Sequence, residues 1–134
     1  MNATLYTFGY LSARAERIFQ ELIAVRTPIV DIRFSPDSRN PHWKQDAIAA
    51  RPGIIYHHIQ ELGNELYKQA LTGQFTEPHI QIADIDTGLT RLEAILQEHK
   101  RAAIFCACSS KTKCHRLTVA TEAQARLSVQ IIHL

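Results

Sequence analysis

The sequence predicts a single α/β domain with a Rossmann-like three-layer architecture. Short apolar, β-branched segments alternate with segments of helical spacing along all 134 residues. This alternation favours a mostly parallel sheet with helices on both faces. The length suits one domain with its own core, so we expect residues 1–134 to form one unit. We predict five strands in the order 3-2-1-4-5.

Five segments predict the strands. They are residues 5–8, 29–32, 54–58, 101–105 and 128–133. Gly9 ends the first strand, Pro28 introduces the second, and the turn Pro52-Gly53 precedes the third.

Apolar residues at helical spacing predict helices between the strands. The first follows Ser12, a predicted N-cap. The others cover residues 44–50, the region around 65–71, a segment from Thr87, and residues 117–123. Residues 34–43 carry two prolines and are long for a connection, which is typical of a functional loop.

Charge and cysteine content restrict the class of protein. The formal net charge of +2 is too small to argue for nucleic-acid or membrane binding on its own. The first ten residues do not resemble a signal peptide, and no apolar run approaches the roughly 20 residues of a membrane span. Three cysteines, an odd number, favour thiols or metal ligands in a reducing cytoplasm.

The strongest chemical signal is the passage between the fourth strand and the last helix. It contains all three cysteines, together with two lysines, a histidine and an arginine: Cys106, Cys108, Lys111, Lys113, Cys114, His115 and Arg116. Gly9-Tyr10, residues 33–39 and His57-His58 also follow strand ends. Because parallel strands end at one edge, we expect these groups to line a crevice between strands one and four, where the strand order reverses.

Four interpretations of this passage stay open. A helix N-terminus with Lys111, Lys113 and Arg116 would bind a phosphate or carboxylate. Alternatively, Cys106 or Cys114 would be an activated thiolate, although the spacing differs from the Cys-x5-Arg loop of protein phosphatases. A zinc site would use Cys106, Cys108, Cys114 and His115. The last alternative is core packing of the cysteines and of His115.

The first half of the chain offers further candidates. Asp31 in an apolar strand requires a cation or backbone donors, and a structural ion pair with Arg33 is one account. Arg33 and Arg39 would instead hold a phosphate. His58 is either a proton carrier or a satisfied histidine at a strand end, and Tyr10 either stacks on a base or covers the sheet edge.

Several short motifs together resemble the Domain of Unknown Function 488 family over essentially the whole chain. They are Thr7-Phe8-Gly9-Tyr10, Asp31-Ile32-Arg33 followed by Pro36 and Ser38-Arg39, Glu61-Leu62-Gly63, Cys106, and Cys114-His115-Arg116. The resemblance implies a small bacterial or archaeal cytosolic α/β protein and supplies no reaction. This chain has Cys108 where the family commonly has an acid, and Asn64 where it commonly has a second glycine.

The leading hypothesis is an enzyme that binds an anionic ligand, a phosphate-containing small molecule or nucleic acid. Its predicted catalytic residues are Cys106, Cys114 and His115. Its predicted ligand-binding residues are Gly9, Tyr10, Arg33, Ser38, Arg39, His58 and Arg116. We expect no cofactor, with zinc as the alternative, and no membrane partner. The rival hypothesis is a non-catalytic nucleic-acid-binding module.

Overall fold

A computed structural model describes residues 1–10, 12–67, 80–107 and 115–134. The strands are β1 (Thr4–Gly9), β2 (Ile29–Asp31), β3 (Tyr56–His58), β4 (Arg101–Cys106) and β5 (Gln130–His133). The helices are α1 (Ala15–Ala24), α2 (Gln45–Ala49), α3 (Ile85–His99) and α4 (His115–Leu127). Two 3₁₀ helices, Pro41–Trp43 and Gln60–Leu62, lie in the connections that follow β2 and β3.

All five strands pair in parallel in the order β3-β2-β4-β1-β5. The five-stranded parallel sheet is confirmed, but the predicted order 3-2-1-4-5 is wrong, because β4 and β1 exchange places. Burial explains the difference. Residues 102–106 of β4 are buried in succession, as a central strand requires, whereas β1 keeps half-buried positions at Thr4 and Tyr6. The more exposed β5 takes an edge.

Side-chain alternation along β4 divides the core into two layers. Ala102, Ile104 and Cys106 pack in one cluster with apolar residues of α3 and α4. Ala103 and Phe105 point the other way, into a cluster with residues of α1 and α2. The predicted three-layer arrangement, with helices on both faces of the sheet, is therefore confirmed.

Helix starts differ from the sequence prediction. Arg14, not Ser12, is the N-cap of α1, and the Ser12 hydroxyl accepts a hydrogen bond from the Arg14 amide at 3.3 Å. The side chain of Asp84 caps α3 by accepting from the Thr87 amide at 3.2 Å. The helix predicted around 65–71 falls largely outside the described residues. None of the described helices has the length and apolar character needed to cross a membrane.

Two glycines allow the connection after β3 to pack closely. A Cβ on Gly63 would lie 2.5 Å from the backbone N and Cα of Phe34, so this position tolerates no side chain. A Cβ on Gly88 in α3 would lie 2.4 Å from Leu62 Cδ2. The Leu62-Gly63 pair therefore fixes the loops after β2 and β3 against α3.

Candidate functional site

The carboxyl ends of β1 and β4 lie side by side. Gly9 and Cys106 are register partners, and the Tyr10 amide donates to the Cys106 carbonyl at 3.1 Å. The chain leaves β1 towards β2 and leaves β4 towards β5, which are opposite directions across the sheet. A reversal of this kind is where open α/β sheets form a ligand crevice. It falls between β1 and β4, the same pair of strands as in the predicted order.

Cys106 ends β4 with its side chain fully buried in the α3/α4 core cluster. It is disulfide-bonded. The structure thus presents Cys106 in an oxidised form, whereas the sequence favoured free thiols or metal ligands. The predicted site residues Cys108 and Cys114, and the neighbouring Lys111 and Lys113, lie outside the described residues.

Arg116, the second residue of α4, places a cation beside this sulfur. Its guanidinium Nη1 lies 4.0 Å from Cys106 Sγ, and its side chain is only 5% exposed. The N-terminal end of a helix dipole is also positive. The first turn of α4 and the Arg116 guanidinium therefore place positive charge at the end of β4.

His115 connects the start of α4 to the end of β2. Its Nε2 donates to the Ile32 carbonyl at 2.7 Å, and the ring is buried. Burial lowers the pKa of His115, and the nearby charge of Arg116 acts in the same direction. The imidazole is therefore neutral near neutral pH, with one nitrogen committed to the backbone.

The Asp31 carboxylate and the Arg33 guanidinium form a buried bidentate pair. Arg33 Nε donates to Asp31 Oδ1 at 2.8 Å, and Nη2 donates to Oδ2 at 2.7 Å. Arg33 Nη1 donates to the carbonyls of Trp43 at 2.6 Å and Asp37 at 3.1 Å. These bonds use most of the guanidinium donors, so Arg33 fixes the loop after β2. The structural ion pair is the alternative that the structure shows for Asp31.

Tyr56 on β3 completes this network. Its hydroxyl donates to Asp31 Oδ2 at 2.7 Å, and the Arg33 amide donates to Oδ1 at 3.1 Å. Burial raises the pKa of Tyr56, and the adjacent Asp31 carboxylate raises it further. The phenol therefore stays protonated and remains a donor, so that four hydrogen bonds stabilise the buried carboxylate.

Tyr10 covers the sheet edge. Its ring stacks on Trp43 with the centroids 5.0 Å apart and an interplanar angle of 12°. The Arg33 guanidinium lies 5.5 Å from the Tyr10 ring centroid and 5.3 Å from that of Phe105. Aromatic packing and a cation–π contact thus hold Tyr10 against the Asp31–Arg33 pair.

Ser38 and Arg39 lie on the loop that Arg33 fixes. The Ser38 amide donates to Asp37 Oδ1 at 2.8 Å, and the Ser38 hydroxyl accepts from the Asn40 amide at 3.1 Å. Arg39 is exposed. These contacts are local to the loop.

The ring of His58, at the end of β3, is hydrogen-bonded to the backbone of the neighbouring loop. Its Nε2 donates to the Arg33 carbonyl at 2.8 Å. This is the structural alternative that the sequence left open for His58.

The structure therefore brings the predicted residues together in two groups. Gly9, Cys106 and Arg116 meet at the ends of β1 and β4, and Tyr10 and Arg33 meet on the other face of the sheet. His115 joins the two parts through the Ile32 carbonyl.

Sequence reasoning missed Tyr56 and Trp43. Tyr56 lies two residues before His58 and so shares its face of β3, which was the available signal. Trp43, the single tryptophan of the chain, ends a loop of polar residues and prolines, and this isolated aromatic position was the available signal.

The zinc alternative stays a prediction, because Cys108 and Cys114 lie outside the described residues. Within residues 1–10, 12–67, 80–107 and 115–134, no group of three or more histidine, cysteine, aspartate or glutamate side chains is arranged to hold a metal ion.

Comparison with known proteins identifies the family of this chain. No curated protein and no solved structure matches it. The family model described as Domain of unknown function DUF488 matches residues 14–123, which cover most of the 134 residues. The match spans α1, the Asp31–Arg33 pair, Cys106 and the start of α4. This chain therefore belongs to the DUF488 family.

Proposed function

We propose that this protein is a thiol-dependent enzyme that binds a phosphate-containing ligand where β1 and β4 end. Arg116 holds the anionic group, and Cys106 in its reduced form is the nucleophile. The observation that carries the proposal is the 4.0 Å separation between Arg116 Nη1 and Cys106 Sγ.

Anion binding is supported by the position of Arg116. Its guanidinium lies in the first turn of a 13-residue helix, whose N-terminus favours negative charge. It also lies beside the strand ends at which the order of the sheet reverses, the usual ligand crevice of such folds. A buried guanidinium binds phosphate oxygens in a low-dielectric setting, where charge-assisted hydrogen bonds are strong.

The same guanidinium favours ionisation of the reduced Cys106. A unit charge about 4 Å from the sulfur attracts a thiolate by about 4 kcal/mol at an effective dielectric constant of about 20. Complete burial of the side chain opposes this ionisation. Arg116 is therefore the group that offsets the cost of burying a thiolate at Cys106.

The proposed enzyme requires a reducing environment. Cys106 is disulfide-bonded, and a sulfur in a disulfide is not a nucleophile. Attack by an external dithiol breaks this bond and leaves two protein thiols, while the dithiol becomes a cyclic disulfide. Two electrons and two protons thus pass from the reductant to the protein.

The test is calorimetric titration of the reduced protein with inorganic phosphate. Arg116→Gln is expected to weaken phosphate binding by about tenfold or more, because a charge-assisted contact contributes roughly 1.5–3 kcal/mol. Arg17→Gln is the matched control. It removes the same charge from α1, where Arg17 is 84% exposed and pairs with Glu21. Its affinity for phosphate should equal that of the wild type.

Two outcomes would overturn the proposal. Equal weakening by both substitutions would assign phosphate binding to overall charge, and full affinity in Arg116→Gln would remove Arg116 from the site. Arg116→Lys, which keeps the charge, covers the case in which Arg116→Gln fails to fold. A lysine ammonium makes no bidentate contact, so partial loss of affinity is expected, and unchanged affinity would contradict the role of Arg116.

A further inference from the structure

A cavity of about 460 Å³ lies beside the carboxyl end of β1. Its side chains include Tyr10, Ser12, Glu16, Asn40, His42 and Trp43. Tyr10 and Trp43 belong to the α1/α2 core cluster, so the cavity lies on the opposite face of the sheet from the Cys106 side chain. Its volume is in the range of roughly 300–1,000 Å³ that is usual for small-molecule sites.

The walls of this cavity are aromatic on one side. The stacked Tyr10–Trp43 pair is nearly fully buried, and Phe19 packs edge-on against Trp43 with the centroids 5.2 Å apart. Ala13, which precedes α1, and Ala15, its first residue, extend this apolar lining. The exposed part of this stack is small, 9% of Tyr10 and 5% of Trp43, and it forms the apolar side of the cavity.

The polar groups of the cavity include both an acceptor and a donor. The Glu16 carboxylate is oriented by Arg51, which donates through Nη1 at 2.7 Å and Nη2 at 3.2 Å, and by the Gln20 amide at 3.2 Å. Asn40 Oδ1 accepts from the His42 amide at 3.1 Å. The Oδ1 atom is thereby committed to the backbone, which leaves the Asn40 side-chain NH₂ as the donor.

Charge distinguishes this cavity from the end of β4. The Arg51 guanidinium and the nearby His42 lower the pKa of Glu16, with the Arg51 hydrogen bond as the largest cause, so the carboxylate is ionised. A negative group paired with one arginine does not attract phosphate. The cavity instead suits an uncharged group that offers a donor to Glu16 and an acceptor to Asn40.

The cavity is also close to the proposed phosphate site. Tyr10 directly follows Gly9, which pairs with Cys106, and neighbouring strands lie about 4.8 Å apart. A ligand that contacts both the cavity and Arg116 has to pass around the adjacent ends of β1 and β4.

We propose that this cavity takes the base of a nucleotide whose phosphate lies at Arg116. A purine or pyrimidine is flat and apolar on its faces and carries donors and acceptors along its edges, which matches the aromatic lining, Glu16 and Asn40. This inference rests on the proposed function and names its substrate class.

Trp43 reports directly on the cavity because it is the single tryptophan of the chain. The test is fluorescence titration of the reduced protein with AMP, GMP, CMP and UMP, and with ribose 5-phosphate as the ligand that lacks a base. At least one nucleotide is expected to change the Trp43 emission and to bind about tenfold or more tightly than ribose 5-phosphate. Equal affinities would overturn the inference.

Asn40→Asp is the matched variant. It keeps the oxygen that accepts from the His42 amide and replaces the side-chain donor with a second acceptor. The nucleotide affinity should fall by about tenfold, whereas the affinity for inorganic phosphate, measured by calorimetry, should be unchanged. Asn2→Asp, at an exposed position near the amino terminus, makes the same charge change away from the cavity and should have no effect.

The two proposals fail separately in this experiment. If phosphate binds through Arg116 but no nucleotide exceeds ribose 5-phosphate, or if Asn40→Asp binds nucleotide normally, only the base site is wrong. If neither phosphate nor any nucleotide binds the reduced protein, the phosphate site itself is wrong.

Discussion

At the scale of single residues, Asp31 and Arg33 illustrate how a charge becomes tolerable inside a sheet. Asp31 is fully buried and Arg33 is 5% exposed, so neither charge is solvated by bulk water. The Asp31 carboxylate accepts two parallel hydrogen bonds from the Arg33 guanidinium, one from the Tyr56 hydroxyl and one from the Arg33 amide. The pair then holds the Asp37 and Trp43 carbonyls and fixes the loop beside the cavity.

Removal of one partner from this pair should be costly. We expect Arg33→Leu to lower the free energy of unfolding by about 3–5 kcal/mol, because the Asp31 carboxylate is left buried without its cation. Tyr56→Phe removes a single hydrogen bond to the same carboxylate and should cost about 1.5–3 kcal/mol. Chemical denaturation measures both values. An equal or smaller loss for Arg33→Leu would contradict the role assigned to the pair.

Single-residue roles were only partly predictable from the sequence. An aspartate inside an apolar strand requires a partner, and Arg33 was the nearest cation, so their ion pair was one of two stated alternatives. Tyr56 was not foreseen, because a tyrosine in a strand is equally compatible with simple packing. The partner of a buried side chain depends on which strands are neighbours, and local sequence does not specify that.

At the scale of elements, His115 fixes the start of α4 relative to β2. Its Nε2–Ile32 carbonyl bond joins residues that are 83 positions apart in the chain. It acts at the turn that carries Arg116, so the position of the guanidinium depends on it. This contact gives His115 a positioning role, and its predicted catalytic role together with Cys106 or Cys114 stays a prediction.

This role predicts a pH dependence of stability. Burial lowers the pKa of His115 below its ordinary value of 6.5, so between the folded and unfolded pKa values the unfolded chain binds more protons. The contribution of His115 to the free energy of unfolding is therefore largest above about pH 6.5. It decreases as the pH falls below this value, by at most about 1.4 kcal/mol per pH unit. In His115→Gln this part of the slope should vanish.

Urea denaturation between neutral and mildly acidic pH measures this slope. His57, whose pKa is also lowered by burial, is present in both proteins and contributes equally to each. Identical slopes in the wild type and His115→Gln would show that His115 is not the buried neutral group described here.

Elements themselves were predictable where their pattern was local. The five strands and the helices of the three layers follow from apolar periodicity, and their observed bounds differ by a few residues at their ends. Two details failed for physical reasons. Ser12 hydrogen-bonds within a turn ahead of α1 rather than capping it, and the 3₁₀ helix at Pro41–Trp43 lies in a segment that appeared irregular.

At the scale of the whole molecule, the strand order decides which distant residues meet. Exchange of β1 and β4 relative to the prediction places β4 at the centre, with β2 on one side and β1 on the other. Asp31 thereby lies in register with Phe105, whereas the pairing of Gly9 with Cys106 is possible in either order. The sequence predicted the edge at which the candidate residues gather, since parallel strands share one, but not their neighbours across it.

The central claim is that Arg116 activates the Cys106 thiol, and the thiol pKa tests it most directly. In a Cys108→Ser, Cys114→Ser protein, Cys106 is the only cysteine left of three, and thiolate absorbance follows its ionisation as the pH is raised. We predict that adding Arg116→Gln to this protein raises the pKa of Cys106, because the neighbouring positive charge is lost. The same pKa with and without Arg116 would contradict the account.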